Sequence, residues 1–532
     1  MWTMKGHVLL AVVCCLIQLV FDVAGYRKEE LCEGADKSRY FSCRAGGRKL
    51  KVLVVDWGIV DAGTGASNRH LEILASLGML GHTVLRGAIR ARAVATTQLP
   101  PAAKSVFEDL DIRQVKKKLH HYPSLSADEY VRTLADFDPD AVILTLWFCG
   151  PTLNDTTPGY LIDAHRQAGH RAKLIIESSD VHTLREEWTI ADGPELSMQG
   201  REPREARASR MKALETRFYS RMAADAVVAI SFEDREKMRH MLLTSGAPTA
   251  APIHVVRYAQ VRTESSQVVS TEAGTTPTPV RAGFGQRHGY IFVGPAGTLT
   301  NRAAVEWFLK EVWPRIWEAH DTAHTASSGA PSLTIVGTWK LRGKRNTVGE
   351  TTMKALTCQR AVTMKPGVKS VCSGYLSAIR FTGKLSESDL LAALDAARVF
   401  VSPIVFSTGV NTKHLLALDN GLPLVTTAAG IGGLCRFAST SPDANAGTDP
   451  GESSGPDGTD VCASGSQSGA TSSPFLVVDG AAAFAVAARR AHNDEKLWES
   501  LSANGRRHSA EHLSLKAAAG DMDRVMRGLG LV

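Results

Sequence analysis

Ser407-Thr408-Gly409-Val410-Asn411-Thr412-Lys413-His414-Leu415-Leu416-Ala417-Leu418-Asp419-Asn420-Gly421-Leu422-Pro423-Leu424-Val425-Thr426-Thr427 is the stretch that decides how this chain folds. With the apolar run 399–402 before it, it reads as strand, loop, helix, turn and strand. The helix is expected to begin near Val410, with Ser, Thr and Gly in the capping positions. Leu415, Leu416 and Leu418 give it an apolar face, and Asn420-Gly421 with Pro423 stops it. The next strand, 424–427, returns parallel to the first. A small-residue loop at a helix N-terminus presents unpaired N–H groups and a positive dipole end to an anion. Thr408, Gly409, Val410, Asn411, Thr412 and Lys413 therefore read in one of two ways. They form a phosphate site with Lys413 as a point charge, or an ordinary buried crossover with a solvated lysine.

The same alternation recurs on either side. Lys51 to Asp56 (KVLVVD) has the apolar run of a parallel-sheet strand. A loop with Asp61, Gly63, Gly65 and Ser67 follows, then a helix bearing Leu71, Leu74 and Leu77, and a second strand near Thr83. Further strands are expected over 141–146, 173–177 and 226–230, and helices over 127–135, 159–168, 205–223 and 232–242. In the helix over 205–223, Met211, Leu214, Phe218 and Met222 recur at helical spacing, so its arginines form the outer face. Residues 261–286 are rich in Ser, Thr, Pro and Gly and read as a linker. A second series then opens with strand 290–293 and its turn at Gly294. It continues with helix 302–319, strands 332–336 and 379–381, helix 387–396 and the opening motif. Residues 439–473 carry almost no apolar content and are expected to be a disordered insertion. Strands alternating with helices in two series predict an α/β fold of two doubly wound domains, 26–260 and 287–532.

At 532 residues the chain is long enough for two or three domains, and 44% apolar with 22% charged residues is a globular composition. The net charge of +7 is spread along the chain, with no block that argues for nucleic acid. At the N-terminus Lys5 and His7 precede an apolar run, 8–21, and Val23-Ala24-Gly25 follows. That is the layout of a signal peptide or a signal anchor over 1–25, and places the chain in the secretory pathway or outside the cell. Sequence spacing suggests disulfides between Cys32 and Cys43, Cys358 and Cys372, and Cys435 and Cys462, leaving Cys149 over. Asn154-Asp155-Thr156 is a glycosylation sequon. No CxxC, HExxH or P-loop pattern occurs, so no metal site or resident cofactor is expected. Asp136, Asp138 and Asp140 stand before a buried strand and read as a polar turn.

Phe400-Val401-Ser402-Pro403, then Gly409 to Lys413, then Gly421-Leu422-Pro423-Leu424-Val425-Thr426-Thr427 and Gly430 resemble the donor-site signature of the group 1 retaining glycosyltransferases. Ile291-Phe292-Val293-Gly294 with Asn301 and Trp307-Phe308, and Phe381-Thr382-Gly383, resemble other parts of that family's donor domain. In the first half, Asp180, His182 and Arg185 resemble its D-x-H-x-x-R segment. The resemblance runs from about Lys51 to Leu434 and implies a GT-B fold, two Rossmann-like domains in tandem with a cleft between them. The first would be the acceptor domain and the second the donor domain.

The resemblance also implies roles. Thr408 to Lys413 would hold the diphosphate of a nucleotide-sugar, and N–H groups with Lys413 would stabilise the charge that builds on the leaving group, without a metal. Gly294 and Gly63 would let backbone and ligand approach closely, with Gly65 and Ser67 in the acceptor or phosphate loop. His182 would contact the sugar and Asp180 would orient it. A bland alternative has Asp180 capping the next helix with His182 packed beside it. One departure stands out. The family carries a ribose-binding Glu where this chain has Leu416, and Val405, Phe406 and Ser407 replace an upstream acid. Hydrogen bonds to a charged group contribute about 1.5–3 kcal/mol each, so Asp419 becomes a candidate substitute. The implied activity is sugar transfer to a glycan, glycoprotein or glycolipid acceptor. The alternative is a GT-B-shaped glycan-binding or scaffold protein without turnover.

Overall fold

A computed structural model describes residues 48–56, 65–88, 113–114, 126–146, 159–191, 204–220, 223–246, 250–259, 282–321, 331–339, 377–434 and 473–532. The expected leader, Gly63, Asn154, nearly all of the expected linker and insertion 439–472 lie outside these residues. No disulfide is found among the described residues, which corrects the expectation of cysteine pairing. Cys32, Cys43, Cys358, Cys372, Cys435 and Cys462 all lie outside them. That expectation rested on short sequence spacing, which does not itself bring two Cα atoms to the ~4.4–6.8 Å a bridge needs.

Two parallel sheets carry the fold. The first contains β1 (Lys51–Asp56), β2 (Thr83–Ala88), β3 (Arg113–Gln114), β4 (Ala141–Leu146), β5 (Lys173–Ser178), β6 (Ala226–Ala229) and β7 (Ile253–Val255). Their spatial order is β3-β2-β1-β4-β5-β6-β7. Interleaved are helices α1 (Gly65–Met79), α2 (Ala127–Phe137), α3 (Gly159–Ala168), α4 (His182–Ala191), α5 (Arg204–Phe218) and α6 (Phe232–Thr244). The strands are apolar without alternation because helices bury both faces. Leu53 and Val55 pack with Tyr130, Leu134 and Leu161 on one side. Val52 and Val54 pack with Leu71 and Leu74 on the other. The aspartates before β4 tie a turn, as their setting predicts. Asp138 closes α2 in the left-handed region and pairs with Arg171, while Asp140 accepts from the Lys51 N–H at 2.9 Å.

The second sheet contains β8 (His288–Val293), β9 (Leu333–Val336), β10 (Ile379–Gly383), β11 (Ala397–Ser402), β12 (Leu424–Thr426) and β13 (Phe475–Val477), ordered β10-β9-β8-β11-β12-β13. Its helices are α7 (Leu299–Trp307), α8 (Trp313–Asp321), α9 (Glu387–Ala396), α10 (Thr412–Asp419), α11 (Ala481–Asn493) and α12 (Glu495–His512). The expected helix over 302–319 is α7 and α8 joined through a π turn at Phe308–Val312. The last helix, α13 (Leu515–Gly528), returns to the first sheet, where Met522, Val525 and Met526 join the core with Leu71 and Leu74.

Strand order fixes where a ligand can enter. In each sheet the order reverses beside the first strand, between β1 and β4 and between β8 and β11. Open α/β sheets bind ligands in the crevice at such a switch point, outside the carboxyl ends of the strands. Two tandem Rossmann-like domains with a cleft between them are therefore the architecture.

Candidate functional site

Lys413 and Asn301 meet across the second switch point. Asn301 belongs to α7, which follows β8, and Lys413 belongs to α10, which follows β11. The Lys413 Nζ donates to Asn301 Oδ1 at 2.6 Å and sits 5.2 Å from the centre of the Phe292 ring. Among the described residues no carboxylate pairs with this amine. Burial pushes its pKa down to about 7.

Gly294 and Gly337 keep this crevice narrow. A Cβ on Gly294 would lie 2.7 Å from the Asn301 side chain, and one on Gly337 would lie 2.5 Å from the Gly294 carbonyl oxygen. The Gly294 N–H is already donated to the Val336 carbonyl at 2.9 Å. Gly294 thus makes room for Asn301, and its N–H is not presented to a ligand.

α10 begins two residues later than expected, at Thr412, with Asn411 as its cap residue. The Asn411 side chain does not cap the helix. It donates to Ser407 Oγ at 3.0 Å and to the Gly430 carbonyl at 2.8 Å, clamping the loop after β11 to the loop after β12. The His414 N–H is donated to the Asn411 carbonyl at 2.9 Å, so the anion cradle at this end comes down to the Thr412 and Lys413 N–H groups. Thr408 is half-buried in that loop, and Val410 packs into the adjoining apolar cluster.

The first domain faces this loop through residues 178–183. Gly409 has φ +68°, and a Cβ there would lie 3.0 Å from the Ser179 carbonyl oxygen and 3.6 Å from Asp180 Oδ1. The structure therefore brings Gly409 and Asp180 together from opposite domains. Asp180 pairs with Arg185 through Oδ2, while its buried Oδ1 has no hydrogen-bond partner among the described residues. His182 is the first residue of α4 and is buried. Burial, with Arg207 adding to it, pushes the imidazole down to about 4, so it is neutral at physiological pH.

The acid that receives the first N–H groups of α4 is Glu215. It accepts from the His182 and Thr183 N–H groups at 2.8 and 3.0 Å, and from Thr183 Oγ1 at 2.6 Å. Burial raises its carboxyl against the pull of those donors. Glu215 comes from α5, over thirty residues downstream, and no local pattern marks it. The loop is held from below as well. Glu177, at the end of β5, accepts from Arg69 Nε at 3.0 Å and from Ser179 Oγ at 3.1 Å. Arg69 also donates to Glu72 at 2.7 Å and to the Arg257 carbonyl at 3.1 Å. Burial pushes Glu72 up to about 8 despite Arg69. Beside this cluster, Arg86 forks onto Asp56 at 2.8 and 3.0 Å, and His70 pairs with the same carboxylate. Burial alone would raise Asp56, but Arg86 and His70 hold it well below the usual carboxylate range.

Two expected members stand apart. Asp419 lies at the far end of α10 and accepts from Ser509 of α12, so the candidate ribose partner is engaged behind the cleft. Leu416 packs at the edge of the apolar cluster that includes Val410 and Ile431. Gly65 and Ser67 lie in the first turn of α1, after β1. Among the described residues no group of three or more His, Cys, Asp or Glu is placed to hold a metal.

Two Rossmann-like domains facing across such a cleft define the class: this is a GT-B protein. Residues 287–441 match the model of the family described as glycosyl transferases group 1. The match lies within the second domain, so that domain resembles the group 1 glycosyltransferases, in a chain whose architecture is GT-B. No curated protein matches it at the sequence level. Among solved structures it is similar to a glycosyltransferase from Rickettsia africae, with 10% identity, TM-score 0.51, and 91% and 99% of the two chains covered. It is also similar to the HepE protein of Anabaena, solved with UDP and glucose, with 12% identity, TM-score 0.50, and 90% and 100% covered. At these identities the likeness is one of fold.

Gly409→Ala tests the contact between the domains. A side chain in the left-handed region costs about 1–2 kcal/mol, and here it also meets the Ser179 carbonyl. A stability loss of that size is expected in urea unfolding. A variant as stable as the wild type would show that the loop does not hold this conformation.

Proposed function

We propose that the chain transfers a sugar from a nucleotide-sugar donor to a glycan, glycoprotein or glycolipid acceptor, with retention and without a metal. The observation that carries this reading is the Lys413 amine: partly buried, balanced among the described residues by the neutral Asn301 amide and a ring face, at the helix start facing the switch point. An uncompensated cation in such a place is suited to a diphosphate. When the glycosidic bond to the donor breaks, negative charge grows on the diphosphate. Lys413 and the first N–H groups of α10 stabilise that charge where water cannot screen it. The neutral His182 contacts the sugar as a hydrogen-bonding group, on a loop anchored by Glu215 and Glu177. Asp180 offers Oδ1 from the same loop. A uridine diphosphate sugar is the first donor to test, because the HepE fold neighbour was solved with UDP.

A second reading, a glycan-binding protein without turnover, is favoured by Leu416. Its side chain cannot accept the ribose hydroxyls, and Asp419 is held by Ser509. Nucleotide release from a panel of nucleotide-sugars, with and without glycan acceptors, separates the two. Lys413→Ala is expected to lower release by about 10²–10³-fold while the variant melts as a folded protein. Release unchanged by the substitution would contradict the first reading, and binding without release from every donor would support the second. The sign of the pH dependence follows from burial of the amine. An amine with a pKa near 7 is charged below neutrality and loses its proton above it. Donor affinity should therefore fall as pH rises through 7, by up to about tenfold per unit, and Lys413→Arg should flatten the profile.

The N-terminal layout and the Asn154 sequon support a place in the secretory pathway. Expression in animal cells should yield a glycosidase-sensitive protein that loses its mobility shift in Asn154→Gln. A chain unaffected by glycosidase would contradict the assignment.

A further inference from the structure

A cavity of about 220 Å³ lies outside the crevice described above, where α6, the edge strand β7 and the returning helix α13 meet. Phe232 and Arg235 of α6, His254 of β7, Arg257 beyond it, and Asp521 and Arg524 of α13 line it. Three guanidinium groups thus face one carboxylate. Asp521 is buried and accepts from Arg257 at the backbone N–H, Nε and NH2, at 2.9, 2.8 and 2.9 Å, and from Arg524 as well. Arg235 pairs with Glu236, outside the lining, and lies 5.1 Å from the Phe232 ring centre. Burial, with Arg235 adding to it, lowers the His254 pKa, so that ring contributes no charge at neutral pH. Three guanidinium groups and one buried carboxylate thus line the cavity, on a partly apolar floor.

We propose that this cavity is a second anion site, which takes the phosphoryl end of a small molecule. Its volume is below the roughly 300–1,000 Å³ of pockets that enclose whole drug-sized ligands, which limits the occupant to a compact group. Arg235 and Arg524 reach it from two different helices. Guanidinium groups converging from two directions suit a tetrahedral group with three acceptor oxygens better than a planar carboxylate. Asp521 holds Arg257 and also pairs with Arg524, whose side chain is 49% exposed and would exchange that contact for one to a ligand. The site is also tied to the cleft. Glu233, beside Phe232, accepts from the Gly433 N–H of the second domain at 3.2 Å, and the Arg257 carbonyl accepts from Arg69 beneath the 178–183 loop.

Titration calorimetry of the full chain with inorganic pyrophosphate tests the proposal, with citrate as the carboxylate control. Saturable pyrophosphate binding is expected in the wild type and in Lys413→Ala, which removes the cation of the other site. In the Lys413→Ala background, where the other site no longer contributes, the double variant Arg235→Gln/Arg524→Gln should weaken it at least tenfold. Should the double variant melt early, Arg524→Glu alone is expected to give the same loss. No saturable binding, binding abolished by Lys413→Ala, citrate binding as tight as pyrophosphate, or affinity unchanged in folded arginine variants would each overturn it.

Discussion

The contact between Lys413 Nζ and Asn301 Oδ1, 2.6 Å long, is the constraint on which the site depends. It ties the helix after β8 to the helix after β11, across the place where the strand order of the second sheet reverses. Gly294 and Gly337 are needed because the crevice closes around this pair. Burying an ammonium without a counter-charge is costly. Asn301 and the Phe292 ring lower that cost without neutralising the charge. A positive charge kept in this way is available to a ligand.

The facing wall is built on the opposite principle. The loop that carries Asp180 and His182 is held by buried hydrogen bonds from several elements. Glu177 joins Arg69 to Ser179, Glu215 receives the start of α4, and Ser178 bonds the Tyr219 hydroxyl at 2.7 Å. Hydrogen bonds in a buried chain polarise and strengthen one another. The result sets a firm acidic rim against a loop whose left-handed Gly409 permits close approach. Arg257 links this network to Asp521 on the last helix, so the C-terminal segment helps to set the geometry of the cleft wall.

Most of the fold was legible because both sheets are parallel and buried on both faces. KVLVVD and the run before Pro403 announce themselves by continuous apolar residues, and β4, α3 and α9 begin and end where the sequence places them. The short edge strand β7 was not legible, since three residues carry no period. Nor was the return of α13 to the first domain, whose signal is an ordinary amphipathic stripe with no indication of its partner. Within the site, the motif around Gly409 and Lys413 was readable from its local pattern. Glu215, Glu177, Arg69 and Glu72 were not, because their pairing depends on contacts between distant segments. Asn301 was visible as part of the family resemblance, but only the structure shows the amine against it. Asp419, close to Lys413 in sequence, stands at the other end of the same helix, against Ser509, a placement its sequence position does not reveal.

The most direct test of this account is an NMR titration of the Lys413 side-chain amine, assigned by comparison with Lys413→Arg. Without ligand, the account predicts a pKa near 7. With saturating UDP, it predicts a pKa raised by a unit or more as the diphosphate supplies the missing counter-charge, about 1.4 kcal/mol per unit. An amine that titrates at the ordinary lysine value, and that UDP leaves unmoved, would contradict the central claim that this buried cation is kept for a nucleotide diphosphate.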